Sequence, residues 1–363
     1  MSGLALGIMS GTSGDGVSLA LARFSARSYR LLKYKTYPYP NDIAKTVLNP
    51  DSLSVSELSS LNFRLGKIYG ECAIRFLKEN RIHSSKVAVI GSHGQTLLHA
   101  PKEKIPSTLQ SGESSVLAEM TGITVVSNFR ERDIAAGGEG APLIPHFDLE
   151  FFGHGKTRSL LNLGGMANIT VVKNKRIISA FDTGPGNCLM DYKVNQMTRG
   201  RKGYDKSGVR AKTGTIDMGL VQKMAAHPYF LRKPPKSTGR EIFNSRFIPK
   251  HANLATLTYF TAYTVWRAHL DFVKEQPHEI IVSGGGACNE TLMEHLQCMF
   301  SPTPVVSIEC YGISPQAKEP LAFAYFAWQA ISGKINHAPQ GTGARGSRIL
   351  GKITPGANFK GVR

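Results

Sequence analysis

The chain has 363 residues, a length of about two domains, and 44 Lys+Arg against 26 Asp+Glu give it a formal net charge of +18. With 41% apolar residues it has enough material for packed cores, which excludes wholesale disorder, and the charge points to anionic partners without choosing among them. The longest apolar stretch, Leu321 to Trp328, is far short of the ~20 residues a bilayer span needs.

The N-terminal Met1-Ser2-Gly3-Leu4 has no charged region before an apolar run, so no signal peptide is expected. The five cysteines are scattered and form no CxxC pair, which supports neither a disulfide framework nor a zinc site. A cytoplasmic protein is the expectation.

In chain order, the apolar runs Leu4–Ser10 and Val17–Arg23 predict two strands, and Tyr29–Tyr37 a third. Leu58, Leu61, Leu65, Ile68, Cys72 and Phe76 recur at steps of three and four, the signature of an amphipathic helix, with Ser54 or Ser56 as its N-cap. Val87–Gly91 predicts a short buried strand, Glu113–Met120 a helix and Ile123–Val126 a strand.

The order then returns. Ser159–Gly164, Asn168–Lys173 and Arg176–Phe181 are three closely spaced apolar runs, followed by a helix over Asn187–Met197. A long helix over Ala252–Glu275, a strand at Ile280–Ser283, a helix over Asn289–Cys298, a strand at Val305–Ile308 and a helix over Pro315–Ile331 complete the pattern. The pattern predicts two copies of one α/β unit, residues 1–128 and 129–363, each opening with three meandering strands. Residues 198–250 carry 13 Lys/Arg against Asp205, Asp217 and Glu241, a net of +10, and read as a basic, solvated insertion in the second copy.

The glycines gather in strand-end turns: Gly11-Thr12-Ser13-Gly14-Asp15-Gly16, Gly164-Gly165, Asp182-Thr183-Gly184-Pro185-Gly186-Asn187 and Ser283-Gly284-Gly285-Gly286. Glycine-rich turns let backbone N–H groups approach phosphate closely. Two such turns at the same place in two copies suggest a pair of hairpins gripping one polyphosphate. No GxxxxGK[ST] pattern occurs, which argues against a P-loop NTPase.

Residue types leave alternatives open. Asp182 is a turn-former, an N-cap or a poised carboxylate. Asp15 is a turn residue or a group holding Mg²⁺ through water. His93 follows a strand in a glycine-containing turn and is structural or substrate-facing. Arg130 and Asp133 form a salt bridge or meet an anionic substrate. Glu319 complements a helix dipole or approaches substrate. Thr238 with Glu241 fits a capping box.

Several long segments resemble the anhydro-N-acetylmuramic acid kinase family, within the superfamily of actin, Hsp70 and sugar kinases. They are Met9-Ser10-Gly11-Thr12-Ser13, Asp15-Gly16-Val17, His93-Gly94-Gln95-Thr96, the run from Gly122 through Arg130, Arg132 through Gly138, and Gly140 through Leu143. Asn162 through Gly165 with Ala167-Asn168, Asp182 through Asn187, Lys236 through Glu241, Gly284 through Ala287, and Glu319 through Trp328 continue the likeness almost end to end.

The resemblance implies two ribonuclease-H-like α/β domains flanking a nucleotide cleft, ATP and Mg²⁺ as cofactors, and a homodimer. No membrane partner is expected from the short apolar runs, and no nucleic-acid partner, because no RNA- or DNA-binding motif is visible. The resemblance implies that Asp182 is the general base in opening 1,6-anhydro-N-acetylmuramic acid, coupled to phosphorylation of O6, in cell-wall recycling. It assigns Ser10, Gly11, Thr12, Ser13, Gly14, Asp15, Gly16, Val17, Gly164, Gly165, Asn168, Gly284, Gly285 and Gly286 to ATP. His93, Thr96, Arg130, Asp133 and Glu319 fall to the sugar, and Asp15 to the metal. An ordinary hexose kinase and a basic nucleic-acid-binding protein are the competing expectations. Two positions depart from the family pattern, Gly14 for Leu and Ser18 for Asp. From this, Gly14→Leu is expected to lower the apparent KM for ATP.

Overall fold

The computed structural model describes residues 3–11, 14–25 and 28–359. In chain order the strands among them are β1 Leu4–Ser10, β2 Gly16–Phe24, β3 Tyr29–Pro38, β4 Val87–Ala100, β5 Ser107–Ser111 and β6 Val125–Ser127, then β7 Arg158–Leu163, β8 Met166–Lys173, β9 Arg176–Pro185, β10 Glu279–Ser283, β11 Val305–Ser307 and β12 Lys352–Thr354. The chain divides into two compact units, Met1–Phe147 with Ala317–Arg363, and Asp148–Gln316. The sequence had suggested a boundary at 128/129 and a second unit running to 363. The difference lies in the C-terminal segment, which returns to the first sheet through β12, antiparallel to β6, and through the helix Lys318–Ile331.

The first unit is built on a sheet ordered β12-β6-β4-β1-β2-β3, with β5 paired to β4. β1, β2 and β3 are antiparallel neighbours, whereas β4 runs parallel to β1 and to β6. The helix Val55–Glu79 begins at Ser54, whose Oγ accepts from the Glu57 N–H while the Ser54 N–H donates to Glu57 Oε2 at 2.8 Å. This capping box satisfies two helix-end donors. Its inward face, Leu61, Leu65, Tyr69, Ala73 and Phe76, joins Leu6, Ile8, Leu19, Leu21 and Ile90 in one core.

The helix Lys318–Ile331 is buried along nearly its whole length and lies directly on β1 and β4. That approach requires glycine in the sheet. A Cβ at Gly7 falls 1.7 Å from the Pro320 carbonyl oxygen, and one at Gly91 falls 2.0 Å from that of Phe323.

The second unit repeats the topology, with the order β11-β10-β7-β8-β9: three antiparallel strands, then two parallel ones beside the first. Its long helix, Leu254–Phe272, is capped by Asn253, whose Oδ1 accepts from the Thr256 N–H at 2.8 Å.

The basic stretch 198–250 is more than a solvated insertion. It forms short helices at Val209–Lys212, Met218–Ala225 and Pro228–Leu231, and sends Leu220, Val221, Met224, Tyr229 and Phe243 into the core of this unit. Thr238 and Glu241 form no capping box, because no helix follows Thr238.

Candidate active site

In the second unit the glycine turns gather at the C-terminal ends of the parallel strands β7 and β10, where open α/β sheets place ligands. The Gly164-Gly165 turn joins β7 to β8. Its carbonyls accept from the amides of Gly186, Asn187 and Cys188 at 2.8–3.2 Å, so the turn caps the helix Cys188–Met197. Asn187 Nδ2 donates to the Leu163 carbonyl at 2.9 Å, and the Gly284 N–H to that of Pro315 at 2.9 Å. Asn168 on β8 stands directly opposite Asp182 on β9.

Asp182 sits inside the end of β9, which runs on to Pro185, rather than at the start of a turn. Its N–H donates to the Lys236 carbonyl at 3.0 Å, and its carbonyl accepts from the Tyr229 hydroxyl at 2.7 Å. Its Oδ2 accepts from the Thr238 N–H at 2.9 Å, whereas its Oδ1 accepts no hydrogen bond among the described residues. All three partners come from the basic stretch. Burial pushes the carboxyl up to about 6; the Thr238 amide opposes that rise and the nearby Glu241 charge adds to it.

In the first unit the candidates lie around the C-terminal ends of β1, β4 and β6. The expected short strand at Val87–Gly91 extends to Ala100 as β4, so His93, Gly94, Gln95 and Thr96 are strand residues, not a turn. Ser10 Oγ donates to Gln95 Oε1 at 2.7 Å, and Gln95 Nε2 donates to the Gly11 carbonyl at 3.2 Å. The Tyr39 hydroxyl also meets Ser10 Oγ, and the Tyr69 hydroxyl lies 3.1 Å from that of Tyr39. Gln95 therefore fastens the start of the first glycine turn.

Beyond it, Gly14 is buried with φ = 68°, Asp15 is exposed, and Gly16 and Val17 are buried at the start of β2. Thr12 and Ser13 lie outside the described residues. Ser18, on β2, faces Thr36 across the sheet, their hydroxyls 2.8 Å apart. Thr96 Oγ1 accepts from Gln110 Nε2 at 3.4 Å, across the β4–β5 pair.

His93 is buried against the Phe323 ring, with centroids 4.7 Å apart. Arg130 Nε donates to His93 Nε2 at 2.9 Å, and His93 Nδ1 lies 2.8 Å from the Gly94 carbonyl. A guanidinium only donates, so the imidazole is the neutral tautomer with its proton on Nδ1. Burial, with Arg130 adding, pulls its pKa down to about 3. Burial also pulls Arg130 down to about 10, against the charges of Glu319 and Glu131. Glu319, in the first turn of its helix, is pushed up by burial while Lys318 and Arg130 pull it down. His93, Arg130 and Glu319 thus share one electrostatic cluster.

Asp133 is placed differently. It is fully buried, and its oxygens accept from His337 Nε2 at 2.5 Å, Thr342 Oγ1 at 2.6 Å and the Gly140 N–H at 2.6 Å. Burial opposes its ionisation, but these three donors outweigh burial and hold the carboxyl below its usual range. Its task in the structure is to tie the C-terminal segment to the helix Phe129–Ala135.

Among residues not singled out for a site role from sequence, Gln95, Tyr229, Lys236 and Thr238 touch the candidate groups most directly. Gln95 and the Lys236–Glu241 run lay inside family-like segments. Tyr229 had no comparable signal, because it sits among cations.

The duplicated order, three antiparallel strands followed by two parallel ones, makes the protein an α/β pair of ribonuclease-H-like units, the architecture of actin, Hsp70 and sugar kinases. Residues 3–356 match the anhydro-N-acetylmuramic acid kinase family, and the chain belongs to it. It is 35% identical over 382 residues to an anhydro-N-acetylmuramic acid kinase of Caldanaerobacter subterraneus subsp. tengcongensis, covering 97% of this chain and 96% of the relative.

Among solved structures it is similar to component A of the (R)-2-hydroxyglutaryl-CoA dehydratase of Acidaminococcus fermentans, with TM-score 0.47, 9% identity and coverage of 91% and 99% of the two chains. It is also similar to a ROK family glucokinase of Streptomyces griseus in complex with glucose and AMPPNP, with TM-score 0.41, 12% identity and coverage of 90% and 100%. No helix among the described residues is long and apolar enough to cross a membrane.

Proposed function

We propose that Asp182 is the general base of an ATP-dependent kinase that opens 1,6-anhydro-N-acetylmuramic acid and phosphorylates O6. Family membership gives the reaction: the chain is a kinase with an alcohol acceptor, serving cell-wall recycling. The observation that supports the base is the Asp182 carboxylate, with one oxygen fixed by the Thr238 amide, the other unengaged among the described residues, and a pKa raised to about 6. A base poised near working pH is ionised in most molecules yet still takes a proton readily.

Asp182 removes a proton from the water that attacks the anomeric carbon. The bond from that carbon to O6 breaks, O6 takes the γ-phosphoryl group of ATP, and ADP leaves. The products are N-acetylmuramic acid 6-phosphate, ADP and a proton. Positioning and charge stabilisation are the protein's main tasks in the phosphoryl step. The Gly11–Val17 and Gly164-Gly165 turns and Asn168 serve the phosphates, and Gly284–Gly286 the nucleoside.

Asp15 suits Mg²⁺. Its side chain is exposed beside the first glycine turn, and Mg²⁺ takes one or two carboxylates and keeps several waters. A Mg²⁺ ion held by Asp15 through water would supply neutralisation of developing phosphate charge. Arg130, with Nε held by His93, presents the rest of its guanidinium to the sugar's carboxylate, and Glu319 and Thr96 line the same end of the sheet. A homodimer and a cytoplasmic location belong to the same proposal.

Turnover in ¹⁸O-labelled water tests it. Label at the anomeric hydroxyl of the phosphorylated product is the expected result. Unlabelled product rejects hydrolytic opening and leaves an ordinary hexose kinase.

A further inference from the structure

Lys236 is the most buried cation of the basic stretch, at 6% exposed. Its Nζ lies 4.5 Å from the Phe272 ring centroid, 4.9 Å from Tyr229 and 5.8 Å from Phe181. It lies 3.4 Å from the Phe230 carbonyl and 3.5 Å from that of Tyr229. A buried ammonium is costly unless paired, and here aromatic faces and carbonyl dipoles take the place of a carboxylate. No acidic side chain lies within salt-bridge distance of it among the described residues. Asp271, whose charge acts on it from the long helix, is engaged by Arg267 Nε at 2.8 and 3.0 Å.

The same residues hold Asp182 from the other side. The Tyr229 ring that covers the ammonium carries the hydroxyl bonded to the Asp182 carbonyl. The Lys236 carbonyl takes the Asp182 N–H, and Thr238, two residues on, supplies the amide to Oδ2. Phe181, the third ring over the ammonium, is the neighbour of Asp182 in β9.

We propose that Lys236 is a positioning residue for the Asp182 carboxylate, its buried ammonium clamping the 229–238 segment against β9 so that the Tyr229 hydroxyl and the Thr238 amide stay on Asp182. The proposal rests on Asp182 acting as the base. The charge is costly where it sits: burial, with Arg232 adding and Asp271 opposing, pulls Lys236 down to about 8. Glu241 is the other charge acting on Asp182 itself.

Lys236→Met keeps the aliphatic stem and removes the charge. Expected is a fall in kcat of roughly 10- to 100-fold, the scale of a small misplacement of a reacting group, with the KM for ATP within about twofold of wild type. The acidic limb of kcat/KM moves upward, because the Thr238 amide no longer holds the carboxyl down. Lys236→Arg recovers most of the loss, since a guanidinium also stacks on aromatic faces. A folded Lys236→Met enzyme with wild-type kcat and an unmoved acidic limb overturns the proposal.

If Lys236→Met does not fold, Tyr229→Phe decides. It keeps the ring over the ammonium and removes only the hydroxyl on the Asp182 carbonyl. A several-fold lower kcat supports the clamp, and an unchanged one rejects it. Placing Lys236→Met on an Asp182→Asn background separates the two claims. No further loss is expected there, and a full additional loss means that Lys236 acts elsewhere. An active Asp182→Asn removes the base itself.

Discussion

Asp133, in the helix Phe129–Ala135, and Asp182, near the end of β9, are both carboxylates inside family-like segments, yet their surroundings drive them in opposite directions. Asp133 accepts from three donors of the first unit and is held below its usual pKa range. Asp182 keeps one oxygen unengaged among the described residues, and burial pushes it up to about 6. The difference follows how many donors each accepts: Asp133, fully buried, is nevertheless the one held low, and the partly exposed Asp182 the one pushed up. A carboxylate that accepts on both oxygens, three times over, is held as an anion and serves as an anchor. A half-bonded one is oriented and still available. From sequence both are expected in the site; their different surroundings support the separate tasks proposed for them.

The sharpest way to break this contrast is Asp182→Asn. Loss of a general base predicts a fall in turnover of about 10²–10⁴-fold, with folding intact by circular dichroism. The sign of the pKa shift adds a second expectation. A carboxyl raised in the folded state contributes stability that is lost as pH rises through about 6. At pH 8 the neutral amide therefore unfolds no earlier than wild type. In the wild type, kcat/KM falls as pH drops through about 6 and returns on readjustment. Asp133 runs the other way: its contribution is complete above the unfolded carboxylate pKa and fades only as pH falls through its own lower value. Activity and fold should thus fail at separate pH values, and a single shared midpoint would erase the contrast.

Asp133→Asn inverts the outcome. Weakening the acceptor of three buried donors, from His337, Thr342 and Gly140, costs about 1–3 kcal/mol. Expected is a lower denaturation midpoint, with kcat per folded molecule changed far less than by Asp182→Asn. A folded, stable Asp133→Asn enzyme with collapsed kcat would return Asp133 to the chemistry.

The legible parts of this molecule were those in which hydrophobic pattern and local geometry agree. β1–β3 and β7–β9 follow closely spaced apolar runs, the first two of each set parted by a glycine turn, and the Ser54 cap with Glu57 marks the start of its helix. The sequence predicts only the start of β4 because its middle, Ser92-His93-Gly94-Gln95, is polar and reads as a loop. It is a buried strand because Arg130, Ser10 and Gly11 supply hydrogen bonds from elsewhere in the chain. The C-terminal helix was given to the second unit because chain order carries no sign of the return to the first sheet. Lys236 was hidden by composition: among 13 cations in residues 198–250, one buried ammonium is indistinguishable until its aromatic walls are seen.

The smallest expected effect concerns Gly14, next to β2 in the first unit. The family-like residue at position 14 is Leu, which favoured Gly14→Leu as an improvement. The backbone opposes it. Gly14 is buried at φ = 68°, and a Cβ there falls 3.2 Å from Leu48 Cδ2 and from Val47 Cγ2. A non-glycine residue in the left-handed region costs roughly 1–2 kcal/mol, and the two neighbours must give way as well. Gly14→Leu is therefore expected to lower the unfolding midpoint by a few degrees and to leave the KM for ATP unchanged or raised. Thermal melts and initial rates across ATP concentrations check both. A lower KM at undiminished stability would mean that the turn re-forms around leucine, and that this end of the first unit is less fixed than the Gln95 and Asp133 anchors make it.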